Sequence, residues 1–171
     1  MGFEVLKLKR QFLRALDDMG FSEPTPIQEK AIPRILAGQD LIGVAQTGTG
    51  KTAAFVLPLL QHIQGRQEGV PRVAILVPTK ELALQVHHAV ENFASHTDMR
   101  ALALVGGVGP KTQIAALSKG AEVVVATPGR FMELYLKGAL VVNKLQAMVL
   151  DEADRMMDMG FMPQLLSLIH I

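Results

Sequence analysis

Lys51 and Thr52 close the octapeptide Ala45-Gln46-Thr47-Gly48-Thr49-Gly50-Lys51-Thr52, in which two glycines alternate with hydroxyl side chains. Glycines allow the tight path that turns backbone N–H groups inward, and a helix starting behind them adds partial positive charge, so the pattern suits a phosphate cradle. Lys51 is the residue to reach the β and γ phosphates of a nucleotide, and Thr52 the one to set a hydroxyl on Mg²⁺. The Walker A pattern is met at three of its four fixed positions, with Ala45 where glycine is usual. Far downstream, Ala147-Met148-Val149-Leu150 runs into Asp151-Glu152-Ala153-Asp154. A buried strand delivering carboxylates at its C-terminal end is a Walker B arrangement: Asp151 holds the metal and Glu152 orients or deprotonates the attacking water. Each motif has a bland alternative. The first is also compatible with a glycine-rich turn and a solvated lysine, the second with an acidic helix N-terminus that complements the macrodipole.

Such groups need a scaffold that brings distant segments together. The chain has 171 residues, of which 49% are hydrophobic and 19% charged, enough for one well-buried domain. Aromatics are scarce at 5%, and the abundant aliphatic residues suit strands covered on both faces, which points to the α/β class with a parallel sheet flanked by helices. Five apolar runs read as strands: residues 41–45, 73–77, 101–105, 122–126 and 147–150. Helix-length stretches start near Lys51, Lys80, Lys111 and Gly129, and this β-α alternation gives right-handed crossovers. Two helices precede the first strand, over residues 9–19 and 27–37, split by the breaker Gly20-Phe21-Ser22-Glu23-Pro24-Thr25-Pro26. Every polar motif falls at a strand's C-terminal end, where open parallel sheets bind ligands.

Lys and Arg number 17 against 16 Asp and Glu, so nucleic-acid binding has to come from local groups rather than a global basic field. With no cysteine, disulfides and thiolate metal sites are excluded, which fits a reducing cytosol. The N-terminus lacks a signal-peptide pattern and reads as unprocessed, soluble and cytoplasmic. The best apolar run, residues 53–60, is far short of the roughly 20 residues that span a bilayer, so no membrane partner is expected.

Together these residues resemble the DEAD-box ATP-dependent RNA helicases. Asp151-Glu152-Ala153-Asp154 spells the family signature. Gly20-Phe21 with Pro24-Thr25-Pro26-Ile27-Gln28 is similar to the Q motif, and Phe3 stands where the family keeps an upstream aromatic. Pro78-Thr79-Lys80-Glu81-Leu82-Ala83 resembles motif Ia, Gly106-Gly107 the GG element, and Thr127-Pro128-Gly129-Arg130 motif Ib. The resemblance covers nearly the whole chain. It implies a RecA-like P-loop NTPase fold, with residues 1–38 a Q-motif helical region and residues 39–171 the first RecA-like domain. It also implies that ATP and Mg²⁺ are the cofactors and RNA the partner, unwound or remodelled at the expense of ATP. Lys51, Asp151, Glu152 and Asp154 are then the catalytic set, and Thr52 and Asp151 the metal ligands. Gln28 would read the adenine edge and Phe3 stack on it, alongside the phosphate loop from Ala45 to Thr52. Pro78, Thr79, Lys80, Gly107, Thr127, Pro128, Gly129 and Arg130 would grip the RNA backbone without reading bases. Lys80 departs from the family's usual arginine, which keeps the charge but loses the planar fork.

The resemblance also implies what should follow the acidic motif: a helix, a strand ending in Ser-Ala-Thr, and a second RecA-like domain with an arginine finger, none of which is expected within residues 155–171. That strand lies between the phosphate-loop strand and the acidic strand, so without it either those two pair abnormally or a gap exposes apolar faces. The chain is expected to be incomplete at its C-terminus and nearly inactive alone. Residues 166–171 resemble the translated end of a sequencing-library adapter. Met156, Met157, Met159 and Met162 read as adaptable core packing. Adjacent His87 and His88 point apart on a helix, unsuited to one metal. Two rivals stand beside the helicase: a DNA helicase or other P-loop NTPase, and a non-catalytic RNA-binding or scaffold fragment.

Overall fold

Four of the five apolar runs become strands in the computed structural model, which describes residues 2–64 and 69–170. They are β1 (Val73–Leu76), β2 (Ala101–Leu104), β3 (Val123–Ala126) and β4 (Ala147–Leu150). β1 and β3 are buried at every position, as suits β-branched and aliphatic residues packed on both faces. The sheet order is β2-β3-β1-β4 and all neighbours are parallel. Parallel neighbours need crossovers, which the helices α4 (Lys80–Phe93), α5 (Pro110–Ser118) and α6 (Pro128–Leu136) supply. The register sets Leu104, Ala126, Leu76 and Leu150 in one row. The class is therefore α/β, consistent with a RecA-like domain.

The chain divides into two compact units, Met1–Gly65 with Ala89–Asp98, and Arg66–His88 with Met99–Ile171. The second holds the sheet and a core formed by Ala74, Leu76, Leu104, Val124, Ala126, Phe131, Leu134 and neighbours. Two short helices follow the acidic motif, α7 (Ala153–Asp158) and α8 (Met162–Ile169). They correct the expectation that no helix is present after that motif. They also correct the methionine reading, because Met156, Leu165 and Leu168 enter this core whereas Met157, Met159 and Met162 are exposed. Helices this short cannot bury all round; one face alone meets the sheet.

The first unit contains a 3-10 turn (Phe3–Leu6) and the helices α1 (Arg10–Asp18), α2 (Pro26–Leu36) and α3 (Lys51–Ile63). α1 buries Phe12, Ala15 and Leu16 and stops at Gly20, whose φ of 76° lets the Phe21 amide reach back to the Leu16 carbonyl at 2.9 Å. α2 opens with Thr25 as N-cap, Pro26 in the first turn and a capping box to Gln28. The Gln61 side chain accepts from the Lys9 amide at 2.7 Å and donates to the Lys7 carbonyl at 3.1 Å, tying the segment before α1 to α3. Among the described residues no helix is long and apolar enough to cross a membrane. Met1 of the expected unprocessed start and Ile171 of the adapter-like end lie outside the described residues.

The expected strand at residues 41–45 is not formed. Leu41, Ile42 and Val44 are exposed, at 42%, 95% and 94%. An extended run gains nothing from apolar residues unless a neighbour completes its hydrogen-bond ladder and covers its faces. Among the described residues no strand pairs with this run, and β4 ends the sheet with Met148 and Leu150 partly open. Both foreseen outcomes presuppose a phosphate-loop strand, and none is formed among the described residues.

Candidate functional site

The phosphate loop belongs to the first unit. Gly48 and Gly50 take φ of 81° and 83°, left-handed values that a side chain would strain, and Gly50 is the N-cap of α3. The loop closes on itself through Thr49 Oγ1, which donates to the Gln46 carbonyl at 2.6 Å. Gln46, Thr47 and Gly48 are exposed, and Ala45, Thr49, Gly50, Lys51 and Thr52 are half-buried. The amides at the start of a 13-residue helix behind a glycine turn suit an anion cradle.

Gln28 is fully buried, and both ends of its carboxamide are engaged. Its Oε1 accepts from the Thr25 amide at 2.9 Å, and its Nε2 donates to the Gly50 carbonyl at 3.1 Å. A Cβ on Gly50 would collide with that amide nitrogen, so glycine is required here by close approach as well as by φ. The start of α2 and the phosphate loop are thus physically joined. Phe3, expected against the adenine, is 3% exposed within the core of this unit.

In the second unit the residues that follow the four strands form one row. The Asp151 amide donates to the Leu76 carbonyl at 2.9 Å, that of Val77 to Ala126 at 3.0 Å, and that of Thr127 to Leu104 at 3.2 Å. The ladder therefore continues one step beyond the strands and sets Asp151, Pro78-Thr79, Thr127 and the Gly106-Gly107 turn along a single sheet edge. Asp151 is buried at 8% exposure. Glu152, the N-cap of α7, has φ 54° and ψ 48°, an unusual left-handed backbone for a residue with a Cβ. Its carboxylate receives a long contact from Arg155 at 3.5 Å, and Asp154 is exposed in the first turn of α7.

The remaining expected nucleic-acid residues are close neighbours on this edge. Thr79 Oγ1 accepts from the Leu82 amide at 3.2 Å and caps α4, with Pro78 buried behind it. The exposed Lys80 holds its ammonium beside Gly107: a Cβ built there would lie 3.3 Å from Nζ. Thr127 is the N-cap of α6, followed by buried Pro128 and exposed Gly129. Arg130 turns back under the glycine turn. Its Nη1 donates to the Val108 carbonyl at 2.8 Å and to Gln113 Oε1 at 2.9 Å, and its Nε donates to Glu133 Oε2 at 2.8 Å. Gln113, buried on α5, passes the connection on by donating to the Val105 carbonyl at 2.9 Å.

Lys137 Nζ, also at 2.8 Å, hydrogen-bonds the other oxygen of Glu133 and, with the nearby charges of Lys137 and Arg130, holds that carboxyl below its ordinary range. Gln113 and Glu133 were not anticipated from the sequence. The Arg130-x-x-Glu133-x-x-x-Lys137 spacing is a helical charge pattern that marks Glu133, whereas no local signal marks Gln113.

Each unit, taken by itself, holds groups of a kind that suit part of a nucleotide with a hard cation. Backbone amides and Lys51 suit phosphate oxygens, and the Thr52 hydroxyl and Asp151 carboxylate are oxygen ligands of the kind Mg²⁺ takes. Lys51 and Thr52 belong to the first unit, Asp151 and Glu152 to the second.

Comparison with known proteins adds an independent line. Residues 25–171 match the family described as DEAD/DEAH box helicase. Over 98% of its length the chain is 44% identical to ATP-dependent RNA helicase dbp10 of Schizosaccharomyces pombe, covering 20% of that protein. It is 48% identical over 95% of its length to ATP-dependent RNA helicase drs1 of Botryotinia fuckeliana, covering 21%. With ATP-dependent RNA helicase DeaD of Escherichia coli it shares 46% identity over 93% of its length, covering 25%. The chain thus spans between a fifth and a quarter of these relatives.

Proposed function

Because this chain belongs to the DEAD/DEAH box helicases, we propose that it forms the ATP-binding half of an ATP-dependent RNA helicase that remodels RNA backbones without reading sequence. The observation that carries the reading is the sheet edge, where the acidic pair, the Lys80-bearing helix start, the glycine turn and the Thr127 helix start stand in one row. Backbone amides, small residues and helix N-termini recognise phosphates and 2′-hydroxyls rather than base edges.

In this reading the phosphate loop wraps the triphosphate with its amides, and Lys51 pairs with the β and γ oxygens. Gln28, buried with both ends of its carboxamide engaged, braces the loop beside the adenine site through the Gly50 carbonyl, and Phe3 packs in the core of the same unit rather than on the base. Thr52 and Asp151 are the residues that would hold Mg²⁺, which would supply positive charge to neutralise the phosphates. Glu152 would orient the attacking water by accepting its hydrogen bond. Thr79, Lys80, Gly107, Thr127 and Gly129 line the RNA path, with the buried Pro78 and Pro128 behind them.

The test is ATP turnover by the full-length protein with RNA, with DNA of the same sequence, and with neither. RNA alone should stimulate hydrolysis, and Glu152→Gln should abolish turnover while retaining nucleotide binding. Equal stimulation by DNA would overturn the RNA assignment, and undiminished turnover in Glu152→Gln would overturn the role of the acidic pair.

A further inference from the structure

Resting on the RNA reading above, we infer that Arg130 is a positioning residue: it shapes the Gly106–Gly109 turn through the Val108 carbonyl and Gln113 and leaves the charge contact with RNA to Lys80.

A guanidinium offers five N–H donors, and three of Arg130's are committed inside the protein at 2.8–2.9 Å. Its side chain is 11% exposed. A phosphate-gripping arginine needs its planar fork turned outward, whereas this fork faces the underside of a turn. Besides a backbone bond from the Thr112 amide to the Gly109 carbonyl, the turn is held by side chains. Gly106 and Gly107 carry no side chains, Gly107 sits at φ 78°, and both are exposed. On each side one carbonyl anchors it: Val105 accepts from Gln113, and Val108 accepts from Arg130. Because Gln113 also accepts from Arg130, the two anchors form one bridge, steered at its far end by Glu133 and Lys137. Lys80, whose ammonium lies beside Gly107, is an exposed cation at the turn. Order in the turn fixes where the Gly107 backbone meets a phosphate relative to Lys80.

The two roles differ in salt dependence. A cation that neutralises a phosphate releases counterions and contributes about 0.7 to the slope of log affinity against log salt on single strands; a residue that only orders a loop contributes nothing. Binding of labelled oligouridylate to the full-length protein, with a non-hydrolysable ATP analogue, should be followed across a potassium chloride series. Amide exchange of the peptide covering residues 105–113 should be measured on the protein without RNA.

Arg130→Met is expected to weaken binding about tenfold, the scale of one or two lost charge-assisted hydrogen bonds, with an unchanged slope and faster exchange in that peptide. Arg130→Lys restores the charge without the fork and is expected to behave like Arg130→Met. Lys80→Met should reduce the slope by about 0.7 and leave exchange alone. A slope reduced by Arg130→Met, rescued by Arg130→Lys, with unchanged exchange, would overturn the inference in favour of direct phosphate contact. Should Arg130→Met fail to fold, Glu133→Gln is the second variant: a smaller loss with the same unchanged slope supports the inference, and unaltered affinity and exchange overturn it. If the unaltered protein binds no RNA, the proposed function falls, while the exchange arm still decides whether Arg130 orders the turn.

Discussion

Glu152 brings its carboxylate to the end of β4 on a left-handed backbone, which costs a residue with a Cβ about 1–2 kcal/mol. Such a cost persists where the surrounding structure imposes it, here between a ladder bond to Asp151 and the start of α7. Glu152→Gly should therefore exceed Glu152→Ala in stability by about 0.5–1 kcal/mol by urea denaturation, although both lack the carboxylate. Equal midpoints would show that the backbone is unstrained. Gln28 makes a different demand. Buried with both ends bonded, it is replaced by leucine only by leaving the Gly50 carbonyl and the Thr25 amide unpaired. Gln28→Leu should cost about 1–3 kcal/mol in thermal denaturation and weaken ATP binding. A stable variant with normal affinity would detach Gln28 from the phosphate loop.

Helix boundaries were legible because capping and breaking residues act locally. Thr25 and Pro26 start α2, Gly20 stops α1, and Gly50 opens α3, each within a residue or two of where the sequence put it. The run at residues 41–45 was misread because a strand is a property of a pair, and the pattern of one segment does not reveal whether a neighbour exists. Arg130 was legible as a cation at a helix start. The direction of its fork was not, because the acceptors on Val108 and Gln113 are brought to it only by folding.

The Arg130–Glu133–Lys137 relay carries its own pH signature. Glu133 has its carboxyl lowered from 4.5, first by the Lys137 hydrogen bond and then by the two nearby cations, against an opposing burial effect. A depressed carboxyl stabilises the fold above its unfolded pKa, and that contribution disappears as pH falls through the folded value. The stability difference between the unaltered chain and Glu133→Gln should thus be present near neutrality and close as pH drops below 4.5. Because the pair is solvent-accessible, the difference should be small and shrink further in high salt. A difference that persisted in acid would assign the effect to packing.

At the scale of the molecule the informative feature is the sheet edge formed by β4. β4 leads into the acidic pair yet among the described residues pairs with β1 alone, and Ile42 and Val44 lead into the phosphate loop almost fully exposed. Apolar residues at such exposure contribute little to stability, so Ile42→Lys with Val44→Lys in residues 1–171 should shift the unfolding free energy by less than about 0.5 kcal/mol. The same pair placed in a buried parallel strand would lose the burial of two aliphatic side chains and introduce two desolvated charges, at least roughly 3 kcal/mol in all. Comparing the double variant in residues 1–171 and in a longer protein that supplies a strand beside β4 separates the cases. A small shift in the first and a large one in the second would show that residues 41–45 become a strand when the sheet is completed, carrying the phosphate loop with them. Large losses in both would mean that the run is already buried in solution and that the open edge does not describe the chain on its own.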